Sequence, residues 1–139
     1  HQERSGWKFS ILQEFEIDDS AEIEVGQEIS TEIFSEIKKV KVSGTSKGRG
    51  FAGGVRRYGF KGGPKTHGQS DRHRAVGSIG AGSSPGRVWP GTRMPGHFGN
   101  AKTTVKGLRL VKVDSTNNIL LIKGAIPGFN GSTVRVEAQ

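Results

Sequence analysis

Apolar residues alternate with polar ones towards both ends of this chain and lose that period in its middle. Trp7, Phe9 and Ile11, then Phe15 and Ile17, fall mostly two apart. That spacing predicts a half-buried strand, because successive side chains of a strand point to opposite faces. Ile23–Val25 and Val40–Val42 predict short strands of the same kind, and Gly26 before Gln27 and Glu28 predicts a turn. Residues 32–39 fit either a short helical turn or a strand, since Ile33, Ile37 and Val40 suit both. No stretch has the spacing of a long amphipathic helix. Residues 104–114 (Val105, Leu108, Leu110, Val111, Val113) and 119–123 predict two strands joined by Asp114-Ser115-Thr116-Asn117-Asn118. Asn suits such a reversal because it tolerates the left-handed backbone a tight turn needs. Pro127-Gly128 and Asn130-Gly131 predict a second reversal ahead of a strand at 133–136. These strands, added to those upstream, predict an all-β fold, an antiparallel barrel or sandwich.

Between the two strand-forming parts, residues 44–100 carry ten Lys or Arg, three His, sixteen Gly and a single acid, Asp71. Ten cations less one acid give the segment +9, against +8 for the whole chain. Its large apolar side chains are Phe51, Val55, Tyr58, Phe60, Val76, Ile79, Val88, Trp89, Met94 and Phe98. Burying them returns far less free energy than fixing so much backbone costs. Such a segment is either disordered or takes the missing free energy from an external polyanion. The aromatics and spaced glycines argue against a mere solvated tail and predict an arm that orders on RNA. A loop of this length between two strands of a compact domain is functional or disordered.

Charge divides along the chain as well. Residues 1–37 hold ten acids against Arg4 and Lys8, a net −8, which leaves +16 for residues 38–139. That asymmetry fits one face against nucleic acid and another in solvent or against a basic neighbour. An ordinary solvated strand face is the simpler explanation of the acids. The 139 residues amount to one domain, of which about 80 remain once the basic segment is set aside, enough for a small core. The absence of Cys rules out disulfide staples and Cys-based metal sites. No apolar run approaches the ~18 residues of a membrane-spanning helix. The chain opens on His1, which predicts that an N-terminal portion is absent from it.

Several short patterns invite other chemistry. Gly48-Arg49-Gly50-Phe51-Ala52-Gly53 has the spacing of a dinucleotide fingerprint after a predicted strand, but that fingerprint needs a following helix, and none is predicted over residues 54–64. Pro64 separates Gly62-Gly63 from Lys65, which breaks a phosphate-cradling loop. His67, His73 and His97 match no zinc spacing and have one carboxylate nearby, so hydrogen bonds to phosphate, ribose or a base edge fit them better. Ser70, Asp71 and His73 lack the context of a hydrolase triad. Phe51, Tyr58, Phe60, Trp89 and Phe98 either stack on unpaired bases or pin the segment's own folds, with Trp89 the first candidate for stacking. Trp7 belongs to a strand pattern and predicts core or edge packing. Arg outnumbers Lys in the segment, and its planar fork suits bidentate phosphate contact. The predicted RNA contacts are Lys47, Arg49, Arg56, Arg57, Lys61, Lys65, His67, Arg72, His73, Arg74, Arg87, Trp89, Arg93 and His97.

The segment also carries a specific order of blocks. Gly44-Thr-Ser-Lys-Gly-Arg-Gly-Phe-Ala-Gly-Gly-Val55, Arg57-Tyr-Gly-Phe60 and Gly63-Pro-Lys-Thr-His-Gly68 resemble the universal L-three family of large-subunit ribosomal proteins. So do Gly77-Ser-Ile-Gly80, Pro85-Gly-Arg-Val88, Arg93-Met-Pro-Gly96, Gly99-Asn100 and the strand pair around 110–128. The resemblance implies a six-stranded β-barrel of the translation-protein type, partly represented here, with a long Gly/Arg-rich irregular extension inserted between strands. Residues 1–43 and 101–139 would supply barrel strands, and residues 44–100 the extension, its tip near Gly77–Trp89. It further implies binding to large-subunit ribosomal RNA near its 3′ end, a part in early assembly, and support of the peptidyl transferase centre. Neighbouring ribosomal proteins would be partners. No enzymatic activity, cofactor, metal, membrane or small-molecule substrate is implied. The pattern over 77–99 resembles the bacterial type and implies a bacterial cytoplasmic ribosome, with an organellar one as the alternative. Ala81 stands where some bacterial members carry a Gln that can be methylated, so no such modification is expected; Lys41 stands where many carry an acid. The competing reading is a non-ribosomal basic RNA-binding protein or RNA chaperone.

Overall fold

The structure is a computed structural model that describes residues 9–15 and 23–139. The chain divides into two compact units, His1–Ser30 and Thr31–Gln139. In the first, residues 9–15 and 23–25 form no strand, contrary to the alternation. Alternation makes a face, but a strand exists only by exchanging hydrogen bonds with a neighbour. Trp7 and Ile17 lie outside the described residues. The expected turn does form: Gly26 takes φ 93°, and the Gln27 N–H donates to the Glu24 carbonyl at 3.2 Å.

The second unit opens with a single 3-10 turn at Thr31–Phe34, which settles the open choice over residues 32–39. Strand β1, Lys39–Thr45, follows. Next come β2 at Phe51–Ala52, a one-turn helix α1 at Gly54–Tyr58 and β3 at Gly96–His97. The chain closes with β4 at Lys102–Asp114, β5 at Ile119–Lys123 and β6 at Val134–Ala138. The main sheet runs β5-β4-β1-β6, antiparallel throughout, while β2 and β3 form a separate ribbon.

β1 sits between two partners, so its apolar residues are the best covered. Val40 and Val42 are completely buried and meet Leu108 of β4. Phe34, Ile37, Val105, Leu110, Ile122, Val134 and Val136 close around them. Thirteen-residue β4 carries an extra residue against each partner, between Val105 and Leu108 and between Leu110 and Lys112. Such bulges bend a strand and sharpen its twist. Gly107, at φ 71°, supplies the left-handed position for the first, and its N–H donates to Gln139 Oε1 at 2.7 Å.

The turn from β4 to β5 forms as its Asn residues foretell. Asn118 takes φ 54°. The Asp114 carboxylate accepts the N–H groups of Thr116 and Asn117 at 3.1 and 3.3 Å and the Asn117 side-chain amide at 3.0 Å. β5 and β6 occupy opposite edges of the sheet, so the chain between them crosses from one edge to the other. The fold is all-β. Among the described residues, however, no closed barrel is present: closure needs enough tilted strands for the edges to meet, and these four leave β5 and β6 apart.

On the solvent face of the sheet, Glu137 pairs with both Lys41 and Arg135. Lys41, where an acid was the family expectation, therefore has a partner that an acid would repel. The hydrogen bond from Lys41, then the charges of Arg135 and Lys102, hold the Glu137 carboxyl below its ordinary 4.5. Hydrogen bonds from the Asn117 side chain and backbone, then from Thr116, hold Asp114 below 3.8.

Two outcomes follow from this packing. Val42→Ala opens a cavity beside the completely buried Val40 and should cost roughly 1.5–3 kcal/mol, read as a lower urea midpoint at unchanged slope. Both lowered carboxyl pKa values mean that the native state binds fewer protons than the unfolded chain. Their contribution is therefore complete above the ordinary values of 4.5 and 3.8 and lost as pH falls through the lower folded values. Melting temperatures should hold from neutral pH to about 5 and fall below it, and Glu137→Gln should flatten the first part of that fall.

Candidate nucleic-acid interface

The basic segment leaves the sheet at the end of β1 and returns at the start of β4, two strands that are hydrogen-bonded neighbours. Its ends continue that pairing as a narrow neck. The Ser46 N–H donates to the Ala101 carbonyl, Arg49 to Phe98, and Phe98 back to Gly50, each at 2.9 Å. β2 and β3 extend the ribbon, Phe51 opposite His97 and Ala52 opposite Gly96. Gly99 makes the close approach feasible: it takes φ 75°, and a Cβ there would strike the Lys47 carbonyl.

Beyond the neck, α1 turns the chain back. The sequence predicts no helix over residues 54–64, and Gly54–Tyr58 corrects that. Gly59, at φ 74°, ends the helix: its N–H donates to the Val55 carbonyl at 3.1 Å and the Phe60 N–H to the Gly54 carbonyl at 3.4 Å. Gly54 is buried because Phe60 and Val76 press on it; a Cβ would lie 2.8 Å from Phe60 Cδ2 and 3.1 Å from Val76 Cγ2. A single turn of helix that leads into an antiparallel ribbon has no parallel βαβ unit around it, so the dinucleotide reading fails on topology.

Most of the predicted contact residues are exposed. Lys47, Arg49, Arg56, Lys61, Lys65, His67, Arg72, His73, Arg74, Arg87, Trp89, Arg93 and His97 all face solvent, whereas Arg57 is half-buried. Arg57 Nη1 donates to the Met94 carbonyl at 2.7 Å and so ties α1 to the returning chain. Its guanidinium also lies 5.0 Å from the Tyr58 ring centroid, and that of Arg93 lies 5.4 Å from the same ring. Tyr58 meets Phe60 at 5.8 Å. These aromatics pin the segment's own folds, one of the two roles open to them. Arg87 rests over Trp89 at 5.0 Å and Arg49 over Phe98 at 5.6 Å. Trp89 remains 57% exposed, which leaves ring surface for a base.

The loop after α1 is closed by His73. Its Nδ1 lies 2.9 Å from the Pro64 carbonyl, so Nδ1 carries the proton and donates. The Gly63 N–H returns a bond to the His73 carbonyl at 2.9 Å. Asp71 accepts the Ser70 hydroxyl at 3.3 Å, while His73 Nδ1 is committed to the Pro64 carbonyl and so is not the nitrogen that a carboxylate would orient, which argues against a triad. Among the described residues, no three His, Cys, Asp or Glu side chains gather as a metal site would require. An open cleft of about 590 Å³ lies between Phe60, Lys61, Gln69, Arg72 and Val76, and a second of about 460 Å³ runs from Gly77 to Val88. Among the described residues, Glu137 holds ion pairs with Lys41 and Arg135, and none of the ten cations of 44–100 pairs with a described carboxylate.

The family model described as Ribosomal protein L3 matches residues 2–118. The chain belongs to that family. Relatives named large ribosomal subunit protein uL3 are 48% identical over 130 residues in Dehalococcoides mccartyi strain 195 and 48% over 136 residues in Herpetosiphon aurantiacus. The uL3 of Hydrogenovibrio crunogenus is 55% identical over 128 residues. These alignments cover 94%, 98% and 90% of this chain and 63%, 64% and 60% of the relatives. The chain thus spans a little under two thirds of the length of the uL3 proteins it matches. In this L3 chain the block from Gly44 to Val55 builds the neck, β2 and the start of α1, and the block from Arg93 to Asn100 is its returning partner. Glycines that read as RNA-approach positions thus also serve the segment's own geometry. Every predicted contact falls between 47 and 97, yet exposed cations also stand on the sheet, where the Lys-Val-Lys-Val alternation of 39–42 is their only signal in the sequence.

Gly99→Ala combines a strained left-handed φ with a backbone clash and should destabilise the neck by about 1–3 kcal/mol. Faster amide exchange at Arg49 and Phe98, with Val42 unaffected, would report it.

Proposed function

We propose that this chain is a structural constituent of the large ribosomal subunit that binds large-subunit ribosomal RNA through residues 44–100. The observation that carries the reading is the set of exposed cations that pair with no carboxylate of the described residues, in a segment with one acid. Unneutralised cations on an irregular, Gly-rich backbone can follow a ribose-phosphate chain closely and release its counterions. Membership of the L3 family supports RNA of the large subunit as the polyanion. On the same reading, the RNA contacted lies near its 3′ end, binding occurs early in assembly, and Gly77–Trp89 supports the geometry of the peptidyl transferase centre. The chemistry there belongs to RNA, so no catalytic residue is assigned. The four-stranded sheet is then part of a six-stranded barrel, with neighbouring ribosomal proteins around it, in a bacterial cytoplasmic ribosome.

Arg49, Arg56, Arg72, Arg74 and Arg87 are the strongest phosphate contacts in this reading, because their guanidinium groups donate no hydrogen bond within the described residues. Arg57 acts chiefly as the staple to Met94. Trp89, with Arg87 against its ring, presents a stacking platform.

If about six phosphates are neutralised, the logarithm of affinity for large-subunit rRNA should fall against the logarithm of salt with a slope of about −4 to −5. Filter binding across a salt series measures it, and a flat response would remove the reading. Bulk RNA added as competitor should displace the rRNA poorly; equal competition would point to a non-ribosomal chaperone instead.

A further inference from the structure

Residues 124–133, which join β5 to β6, carry no titratable side chain, and they hold the one Asn-Gly pair of the chain, Asn130-Gly131. The amide carbon of an Asn side chain lies within reach of the backbone nitrogen of the next residue, and attack by that nitrogen closes a succinimide ring. A side chain on the next residue hinders the attack. So does a hydrogen bond that occupies its N–H, and so does burial away from water. At Asn130 all three obstacles are missing. The Ser132 N–H donates to the Phe129 carbonyl at 3.0 Å, which puts Asn130 and Gly131 at the centre of a turn. Both are exposed, and a Cβ on Gly131 would meet nothing within 4 Å. Among the described residues, neither the Gly131 N–H nor the Asn130 side-chain amide makes a hydrogen bond.

The other Asn residues, at 100, 117 and 118, are each restrained. After Asn100 comes Ala101, whose N–H donates to Ser46 Oγ at 3.3 Å. The Asn117 side-chain amide donates to Asp114 Oδ2 at 3.0 Å. Asn118 precedes Ile119, the first residue of β5, whose branched Cβ crowds the backbone nitrogen.

We propose that Asn130 is a site of spontaneous deamidation, with water as the co-reactant. The Gly131 nitrogen bonds to Asn130 Cγ, the Cγ–Nδ2 bond breaks, and Nδ2 leaves as ammonia with the proton that Gly131 gave up. Water then opens the succinimide, and nothing is oxidised or reduced. Cleavage between the Gly131 nitrogen and Cγ leaves an ordinary aspartate. Cleavage between that nitrogen and the main-chain carbonyl carbon leaves an isoaspartate, whose chain runs through Cβ and Cγ and is one carbon longer. The loop sits where the basic segment begins: a Cβ on Gly44 would lie 3.3 Å from Pro127 Cγ, and one on Gly128 would lie 3.1 Å from the Thr45 carbonyl. Either product sets an anion in an uncharged loop at that point, and the net charge of +8 falls by one.

The test incubates the folded chain in neutral buffer at physiological temperature. Trypsin places Asn130 in the peptide 124–135, apart from the other three Asn residues. Mass spectrometry should show that peptide exchanging ammonia for water and resolving into two isomers, while the peptides with Asn100, Asn117 and Asn118 keep their mass. One isomer should accept a methyl group from S-adenosylmethionine in the presence of a protein isoaspartyl methyltransferase. The converted protein should leave a cation exchanger at lower salt than the parent. Asn130→Gln, at an exposed position, should melt as the parent does and form no early-eluting species; such a species in that variant would place the charge change elsewhere and overturn the proposal. Conversion of the parent in urea but not when folded would show that the turn protects Asn130, and would overturn it as well. Equal conversion at the other Asn residues would defeat it, as would a product free of isoaspartate.

Discussion

The antiparallel pairing of β1 with β4 governs the geometry of the second unit. It buries Val40, Val42 and Leu108 between strands that lie far apart in the chain, and it fixes both ends of the basic segment one strand spacing apart. A segment with few apolar side chains and many glycines has little of its own to hold it. Anchored at both ends, it pays much less loop-closure entropy to form the neck than a free chain would. The neck hydrogen bonds, the β2–β3 ribbon and the one-turn helix are what that anchoring permits.

The charges then divide by the company they keep. Glu137 takes up Lys41 and Arg135, Arg57 is drawn inward to a carbonyl, and the remaining cations of the segment stand in solvent without a carboxylate partner among the described residues. A protein surface that mixes signs screens itself; one that does not presents a field of several kT to any polyanion. The same contrast recurs on the sheet, between the neutralised Lys41–Glu137–Arg135 group and the exposed Lys39, Arg109 and Lys123, which register sets side by side. Family membership places the chain among the L3 ribosomal proteins.

Local sequence fixed the elements whose cause is local. Asn118 in the left-handed region, Asp114 capping the turn, Gly26 at its own turn and the Val-Lys alternation of β1 are all set by residues adjacent in the chain. The density of cations in residues 44–100 was equally plain, because charge does not depend on folding. Alternation misled at 9–15 and 23–25, where no ladder partner is present among the described residues. The helix at Gly54–Tyr58 escaped prediction because glycine is a poor helix former. What holds it is burial of Gly54 under Phe60 and Val76, together with the link from Arg57 to Met94.

The sequence by itself settled the class of fold, the turn between β4 and β5, the family and the concentration of positive charge over residues 44–100. Those follow from side-chain size, backbone preference and formal charge, which each residue carries with it. Only the tertiary structure decided which cations are neutralised, which arginine is a staple, and that Lys39, Arg109 and Lys123 share a row. Register joins positions that lie 70 and 14 residues apart along the chain, and no local pattern encodes a distance of that kind.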